Sequence, residues 1–312
     1  MERERVRVAI TFCVVALAGL AFASNARAEC TRETLQKLAD TYVKAQTAGN
    51  ATMLPLAAGS SYAENDKGMD VAKGVLAGPL KVDFTRSFYD TTQCATFTEL
   101  VAATDPHPYV IHTRMMATND GKVSKMESVV TDAGDWVFGA TQHLATTRSE
   151  KWDEIPKDKR DTREAIQAAA DGYLNNWGDP TLPVPHGTPC SLLEGRTSTA
   201  ARNPEGQACT MGAFPQKLKV GNRRYIIDEN FGAVVIFHNF PWLDAGLGPD
   251  SPGTPSGQMF RVEGGKNRYI HEVTVCTTPK CGRGRPAAPP PAPAAPAAPP
   301  APAAPAAPAP GE

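Results

Sequence analysis

The chain has 312 residues, a formal charge of −1 at pH 7 and seven cysteines, and 41% of its residues are hydrophobic. So balanced a charge implies no basic surface, and no nucleic-acid partner is expected. Both ends differ in composition from the middle, which keeps about 255 residues, enough for one large domain or two smaller ones with real cores.

The amino terminus, MERERVRVAITFCVVALAGLAFASNARAEC, has a basic start, an apolar run from Val8 to Ala23, and small residues at Ala26 and Ala28. This pattern predicts a secretory signal peptide over residues 1–28. The apolar run is shorter than the ~20 residues of a spanning helix, so no membrane span is expected in the mature form. Losing residues 1–28 removes four arginines and two glutamates and leaves a charge of −3. Cys13 leaves with the signal, and Cys30, Cys94, Cys190, Cys209, Cys276 and Cys281 remain. An even set in a secreted or periplasmic chain reads as disulfides. Short loops favour Cys190 with Cys209 and Cys276 with Cys281, leaving Cys30 for Cys94. The CTTPKC spacing matches half of a zinc knuckle, but no second pair accompanies it, so no metal is expected.

Residues 29–148 read as a first α+β half. TRETLQKLADTYVKAQTAG predicts a helix capped by Thr31, with Leu35, Leu38, Tyr42 and Val43 on one face. SYAEN at 61–65 reads as a loop. Strands are predicted at 81–89, 95–102, 108–116, from the Gly121-Lys122 turn to 132, and at 134–140. Residues 149–160, charged and carrying Pro156, read as a linker. Residues 161–283 repeat the order: a helix in DTREAIQAAADGYLNNWG with Asp161 as cap and Glu164 closing a capping box, then strands. KLKVGNRRYIIDE predicts a hairpin around Gly221-Asn222, and Gly264-Gly265-Lys266 another turn. Setting Gly121 over Gly265 aligns the last strands of the two halves, as expected of a duplication. LDAGLGPDSPGTPSG at 243–257 is too long for a hairpin loop and reads as a lid or binding loop. Residues 284–312 are almost wholly alanine and proline, a disordered polyproline II spacer suited to cell-wall contact.

The capped helix with Tyr42, SYAEN, RSFYDTTQC at 86–94 and a final strand entered through DGKV together resemble a SnoaL-like domain. That is the cone-shaped α+β fold of the nuclear transport factor 2-like superfamily. SYAEN, PC.LLEG, IIDE..G and IHEVTVC resemble more specifically the exported two-half proteins grouped as domain of unknown function 8021. The resemblance spans residues 30–283. It implies two tandem cones, each a curved antiparallel sheet wrapped on helices, stabilised here by disulfides, with a deep apolar cavity for a small hydrophobic molecule. Single-domain members of the superfamily dimerise sheet to sheet, so a tandem copy implies a monomer that makes this contact within one chain. The superfamily holds isomerases, dehydratases, hydrolases and lyases as well as non-catalytic binding domains, and fold alone does not choose among them. Neither the Tyr/Asp oxyanion pair of the isomerases nor an Asp-Arg-Asp water-activating set is present.

Alternation along the last strand places Tyr269, His271, Val273 and Val275 on one face, with His271 aligned to Glu127 of the first half. If that face lines the cavity, His271 is the proton acceptor, Asp228 its orienter, and Tyr62 or Tyr225 a donor to a developing oxyanion. If it does not, His271 is a core histidine. His238 lies with Val234, Ile236 and Phe240. His112 and Arg114 share a face, either solvated or clamping a substrate anion. With Glu64, Asn65, Asp90 and Glu127 they complete the candidate substrate-binding set. No phosphate loop, nucleophile elbow or dinucleotide fingerprint occurs, and no cofactor is expected. The expectation is an exported, cofactor-independent acid–base enzyme acting on a hydrophobic oxygenated molecule. Its rival is a non-catalytic carrier of an apolar ligand or a cell-envelope interaction protein.

Overall fold

α1 (Arg32–Ala48) starts where Thr31 caps it, its hydroxyl accepting from the Thr34 amide at 3.2 Å. It ends at Gly49, whose φ of +61° lets the chain turn left-handed. A Cβ there would stand 2.3 Å from the Pro79 nitrogen, so this cap has to be glycine. The structure is a computed structural model and describes residues 30–199, 206–209, 218–241, 253–278 and 281, with backbone alone at 207–208. The expected signal peptide, the alanine-proline tail and positions 243–252 of the glycine-rich stretch lie outside these residues. Among the described residues, no helix is long and apolar enough to cross a membrane.

Six strands follow α1: β1 (Leu56–Glu64), β2 (Lys67–Met69), β3 (Phe84–Asp90), β4 (Ala95–Ala102), β5 (Tyr109–Ala117) and β6 (Val123–Thr131). After α2 (Ala140–Ser149) and α3 (Arg163–Gly178) come β7 (His186–Glu194), β8 (Thr197–Ser198), β9 (Gln207–Ala208), β10 (Gly221–Asp228), β11 (Ala233–Phe240), β12 (Thr254–Glu263) and β13 (Lys266–Thr274). The first sheet runs β2-β1-β6-β5-β4-β3 and the second β8-β7-β13-β12-β11-β10, with β9 added beside β7. Strand for strand this is the same order. In both sheets the first strand of the half pairs parallel with its last, and the meander is antiparallel. The protein is therefore α+β and built as two equivalent halves.

Each sheet has one face on its own helix and one on the other sheet. Tyr42 of α1 packs on Leu100, Ile111, Met115 and Met126 of the first sheet, and Tyr173 of α3 on Val234, Ile236, Phe260 and Ile270 of the second. A third core joins Phe88, Phe97 and Val129 of the first sheet to Val235, Phe237, Met259 and Val273 of the second. Across it the Phe97 and Phe237 rings meet edge to face at 6.4 Å.

Two reciprocal ion pairs lock the halves. Arg32, at the start of α1, grips Asp228 of the second half with both guanidinium nitrogens at 2.9 and 2.8 Å. Arg163, at the start of α3, grips Asp90 of the first half at 2.9 and 2.6 Å. Each aspartate also accepts a backbone amide across the interface, Asp228 from Tyr89 and Asp90 from Ile227, both at 2.9 Å. Residue i meeting j while j meets i is the signature of a twofold interface, here within a single chain.

Several sequence expectations are corrected. The cap of α3 is Thr162, whose hydroxyl accepts from Ala165, because Asp161 is drawn away to accept the Gly265 amide at 3.0 Å. Gly221-Asn222 is no hairpin turn but the start of β10, which pairs with β11. Residues 134–139 form turns, not a strand, and α2 follows them. Positions 254–257 of the supposed loop belong to β12. Asn65 lies beyond the end of β1, and the rest of SYAEN is strand rather than loop. The Gly264-Gly265 turn holds, both residues at positive φ between Glu263 and Lys266. So do all three cystines, Cys30–Cys94, Cys190–Cys209 and Cys276–Cys281.

Candidate functional site

The catalytic set anticipated around His271 is dispersed by the fold. His271 lies on the expected face with Tyr269, Val273 and Val275, but that face meets the other sheet rather than α3. Its Nε2 is 2.6 Å from Glu150 and its Nδ1 is 3.4 Å from Glu99. Burial alone would lower its pKa; Glu150 first and then Glu99 outweigh it and lift the ring to about 9. Asp228 does not orient it, since its oxygens serve Arg32 and the Tyr89 and Asn230 amides.

The remaining anticipated residues have structural partners. Tyr225 donates to Asp171 at 2.8 Å on the α3 side of β10; burial and then Asp171 push its phenol up to about 12. Tyr62 donates to Glu64 at 2.6 Å, and the same carboxylate oxygen accepts the Val75 amide at 2.7 Å. Asn65 zips onto the Val130 backbone through both amide atoms, at 2.8 and 3.2 Å. Glu127 holds Arg114 at 2.9 Å and Arg224 of the second half at 3.1 Å. His112 and Arg114 are buried, not solvated. Glu64 and Asn65 do line a cleft of about 500 Å³ with Lys67, Tyr109, Asp132 and Asp135, but Glu64 Oε2 and both amide atoms of Asn65 already have partners.

The exceptions are His112, whose Nε2 comes no nearer than 3.8 Å to Glu99 in the sheet interface, and His238. On β11 it points with Val234, Ile236 and Phe240 toward α3, and neither ring nitrogen has a hydrogen-bond partner among the described residues. Burial drives its pKa down to about 3, so the ring is neutral and one nitrogen is a free acceptor. Gln258 of β12 and Glu272 of β13 are adjacent register partners facing the same interior. The Gln258 amide donates to Glu272 Oε2 at 2.6 Å, and Thr274 donates to Oε1 at 2.8 Å. The Gln258 carbonyl oxygen and the Tyr173 hydroxyl of α3 are likewise buried without partners among the described residues. Burial first, and then Glu194 on the neighbouring strand β7, push Glu272 up to about 8. Burial also raises the Tyr173 phenol, with Glu272 and Glu194 adding to it. Around them the rings of Tyr173, Trp177, Phe240 and Phe260 interlock edge to face.

The first half is an internal control for this arrangement. Register pairing puts Thr113 beside Ser128 where the second half has Gln258 beside Glu272, and Leu100 beside Ile111 where it has His238 beside Ser256. In the first half the polar atoms close on each other: Tyr42 bonds Thr113 at 2.8 Å, and Thr113 bonds Ser128 at 2.9 Å. Two small hydroxyls and a leucine have become an amide, a carboxyl and an imidazole, and the satisfied network has become one with open valences. Buried polar groups are otherwise almost always paired, so such a cluster calls for a water or ligand to complete it.

Sequence reading named His238 but missed Gln258 and the role of Glu272, because polar residues inside a strand show as breaks in the apolar alternation. The usable signal was the comparison of aligned halves, where Ser128 gives way to Glu272. Residues 159–274, from just before α3 to the end of β13, match a family described as a domain of unknown function, DUF8021. No curated protein matches the chain. The stretch that resembles DUF8021 is thus the half that holds His238, Gln258 and Glu272.

Proposed function

We propose that this protein is exported, that its halves are SnoaL-like cones packed sheet to sheet, and that the second cone takes up a small hydrophobic, oxygenated molecule for acid–base chemistry without a cofactor. The observation that carries the reading is the substitution pattern between halves: His238 and Gln258 keep open valences beside the Glu272 carboxyl where the first half has a closed core. The interlocked aromatic rings supply the apolar walls, and the few convergent polar groups orient the guest. Neutral His238 accepts a hydrogen bond from a substrate hydroxyl, the Glu272 carboxyl or the Tyr173 hydroxyl donates a proton, and Gln258 between them orients a substrate oxygen. His271 is withdrawn from the catalytic role, because both of its nitrogens face carboxylates inside the sheet interface.

The test writes the first half's residues into the second, as H238L/Q258T/E272S. Ligand is captured from culture extract on wild type and variant, identified by mass spectrometry, and followed for turnover. The variant should fold and lose both capture and turnover. Equal capture by the two proteins would remove the second cone as the site. Capture that disappears from the variant while wild type shows no turnover would favour a non-catalytic carrier, the reading that the enclosed position of these groups also supports.

A further inference from the structure

The interface between the two sheets holds a second convergence of ionisable side chains, separate from the proposed ligand site. Glu99 of β4, His112 of β5, His143 of α2 and His271 of β13 are all completely buried. Three imidazole nitrogens turn toward one carboxylate oxygen: from Glu99 Oε1, His143 Nε2 lies at 3.0 Å, His271 Nδ1 at 3.4 Å and His112 Nε2 at 3.8 Å. The donor atoms of Glu99, His143 and His271 all lie within 4.8 Å of one another. Ligands on a tetrahedral ion at about 2.1 Å are separated by about 3.4 Å, so these spacings are those of a ligand cage around one small cation.

The outer contacts dictate what sits inside. His143 Nδ1 is 2.9 Å from the Gly195 carbonyl, which only accepts, so Nδ1 carries the proton and a neutral ring presents the Nε2 lone pair to Glu99. His271 Nε2 meets Glu150 at 2.6 Å, which likewise turns the Nδ1 lone pair toward Glu99. A lone pair facing a carboxylate oxygen needs a cation between them, either an extra proton on each ring or one shared metal ion. The other Glu99 oxygen is held by Arg86 at 3.3 Å and Thr147 at 3.2 Å. Histidine ligands backed by a carbonyl and a carboxylate, with the ligating carboxylate itself hydrogen-bonded, are the outer shell of a metal site. Room for His112 is made from across the interface by Gly257, where a Cβ would stand 2.7 Å from His112 Nδ1.

We infer that Glu99, His143 and His271 bind one divalent ion of zinc's class, which fastens the first half, the connecting helix and the second half together. The ligands are enclosed, so the ion is structural and is taken up as the halves close. Binding replaces the protons on the two inward nitrogens by the metal, and no redox step is involved.

The test uses the full chain, folded with its disulfides, exposed to zinc, desalted and analysed for metal. About one zinc per chain should remain, and a chelator should lower the melting temperature of the wild type. Cobalt(II) should give the visible absorption of a tetrahedral site. His143→Gln and Glu99→Gln should lose the retained zinc and the cobalt band, while His238→Gln keeps both. Only trace zinc in the wild type, with a melting temperature indifferent to chelator, would overturn the inference in favour of a proton-held ion network. Stoichiometric zinc in the His143→Gln/Glu99→Gln double variant would place the ion elsewhere and overturn it equally. Metal content of the wild type decides the question even if a variant fails to fold.

Discussion

Replacing Asp90 with alanine tests the idea that reciprocal clamps hold the halves together. The carboxylate is buried and accepts five hydrogen bonds, two from Arg163, one each from the Gln93 amide and side chain, and one from the Ile227 amide. Removing it strands the largely buried Arg163 guanidinium and the buried Ile227 N–H. Breaking a buried pair from one side costs about 3–5 kcal/mol. For an ordered region of this size, where each kcal/mol moves the melting temperature by about 2–4 °C, the midpoint should fall by roughly 6–20 °C. The assay is thermal and urea unfolding of oxidised wild type, Asp90→Ala, Arg163→Ala and the double variant. The double variant should cost little more than Asp90→Ala alone, because the two side chains act on each other. Independent, additive losses, or a loss under about 1 kcal/mol for Asp90→Ala, would show that the clamp is an exposed-type ion pair of small value.

Gly257→Ala should destabilise by about 1–3 kcal/mol in chemical denaturation, since the new methyl meets His112 Nδ1 in an interface with no slack; an unchanged midpoint would contradict that packing. Asp135 is raised to about 6, chiefly by burial, so its neutral form is favoured in the folded state. Its contribution is therefore intact below about pH 4 and is lost as pH rises from about 4 through 6, which makes the wild type lose stability over that window relative to Asp135→Asn. Parallel stability–pH curves for the two proteins would refute this. Removing Cys30–Cys94 should cost more than removing Cys276–Cys281, about 4 against about 2 kcal/mol on chain entropy alone, because the closed loops differ so much in length, 64 against 5 in sequence separation. Equal losses in paired cysteine-to-alanine variants would put the stabilisation in the native state instead.

Local chemistry by itself determined a good deal. The Thr31 cap, the Gly264-Gly265 turn, the two strand faces around His271 and around His238, and the three cystine pairs were all legible, because each depends on neighbours in sequence or on loop length. The aligned Gly121 and Gly265 pointed to two similar halves, and the two sheets do share one strand order. The helix α2 was missed because its buried positions, Ala140, His143, Leu144 and Thr147, have helical spacing but are half polar, so no apolar stripe marks them.

Tertiary structure alone decided which face of each strand looks where. Alternation separates a strand's two faces with period two, but both faces here are buried, one under a helix and one against another sheet, and composition does not tell them apart. His271 therefore fell into the interface between the sheets and His238 into the core between the second sheet and α3. Glu99 and His143, separated by 44 residues, met only because the connecting helix folds over the first sheet beside the second, a juxtaposition that no local pattern encodes.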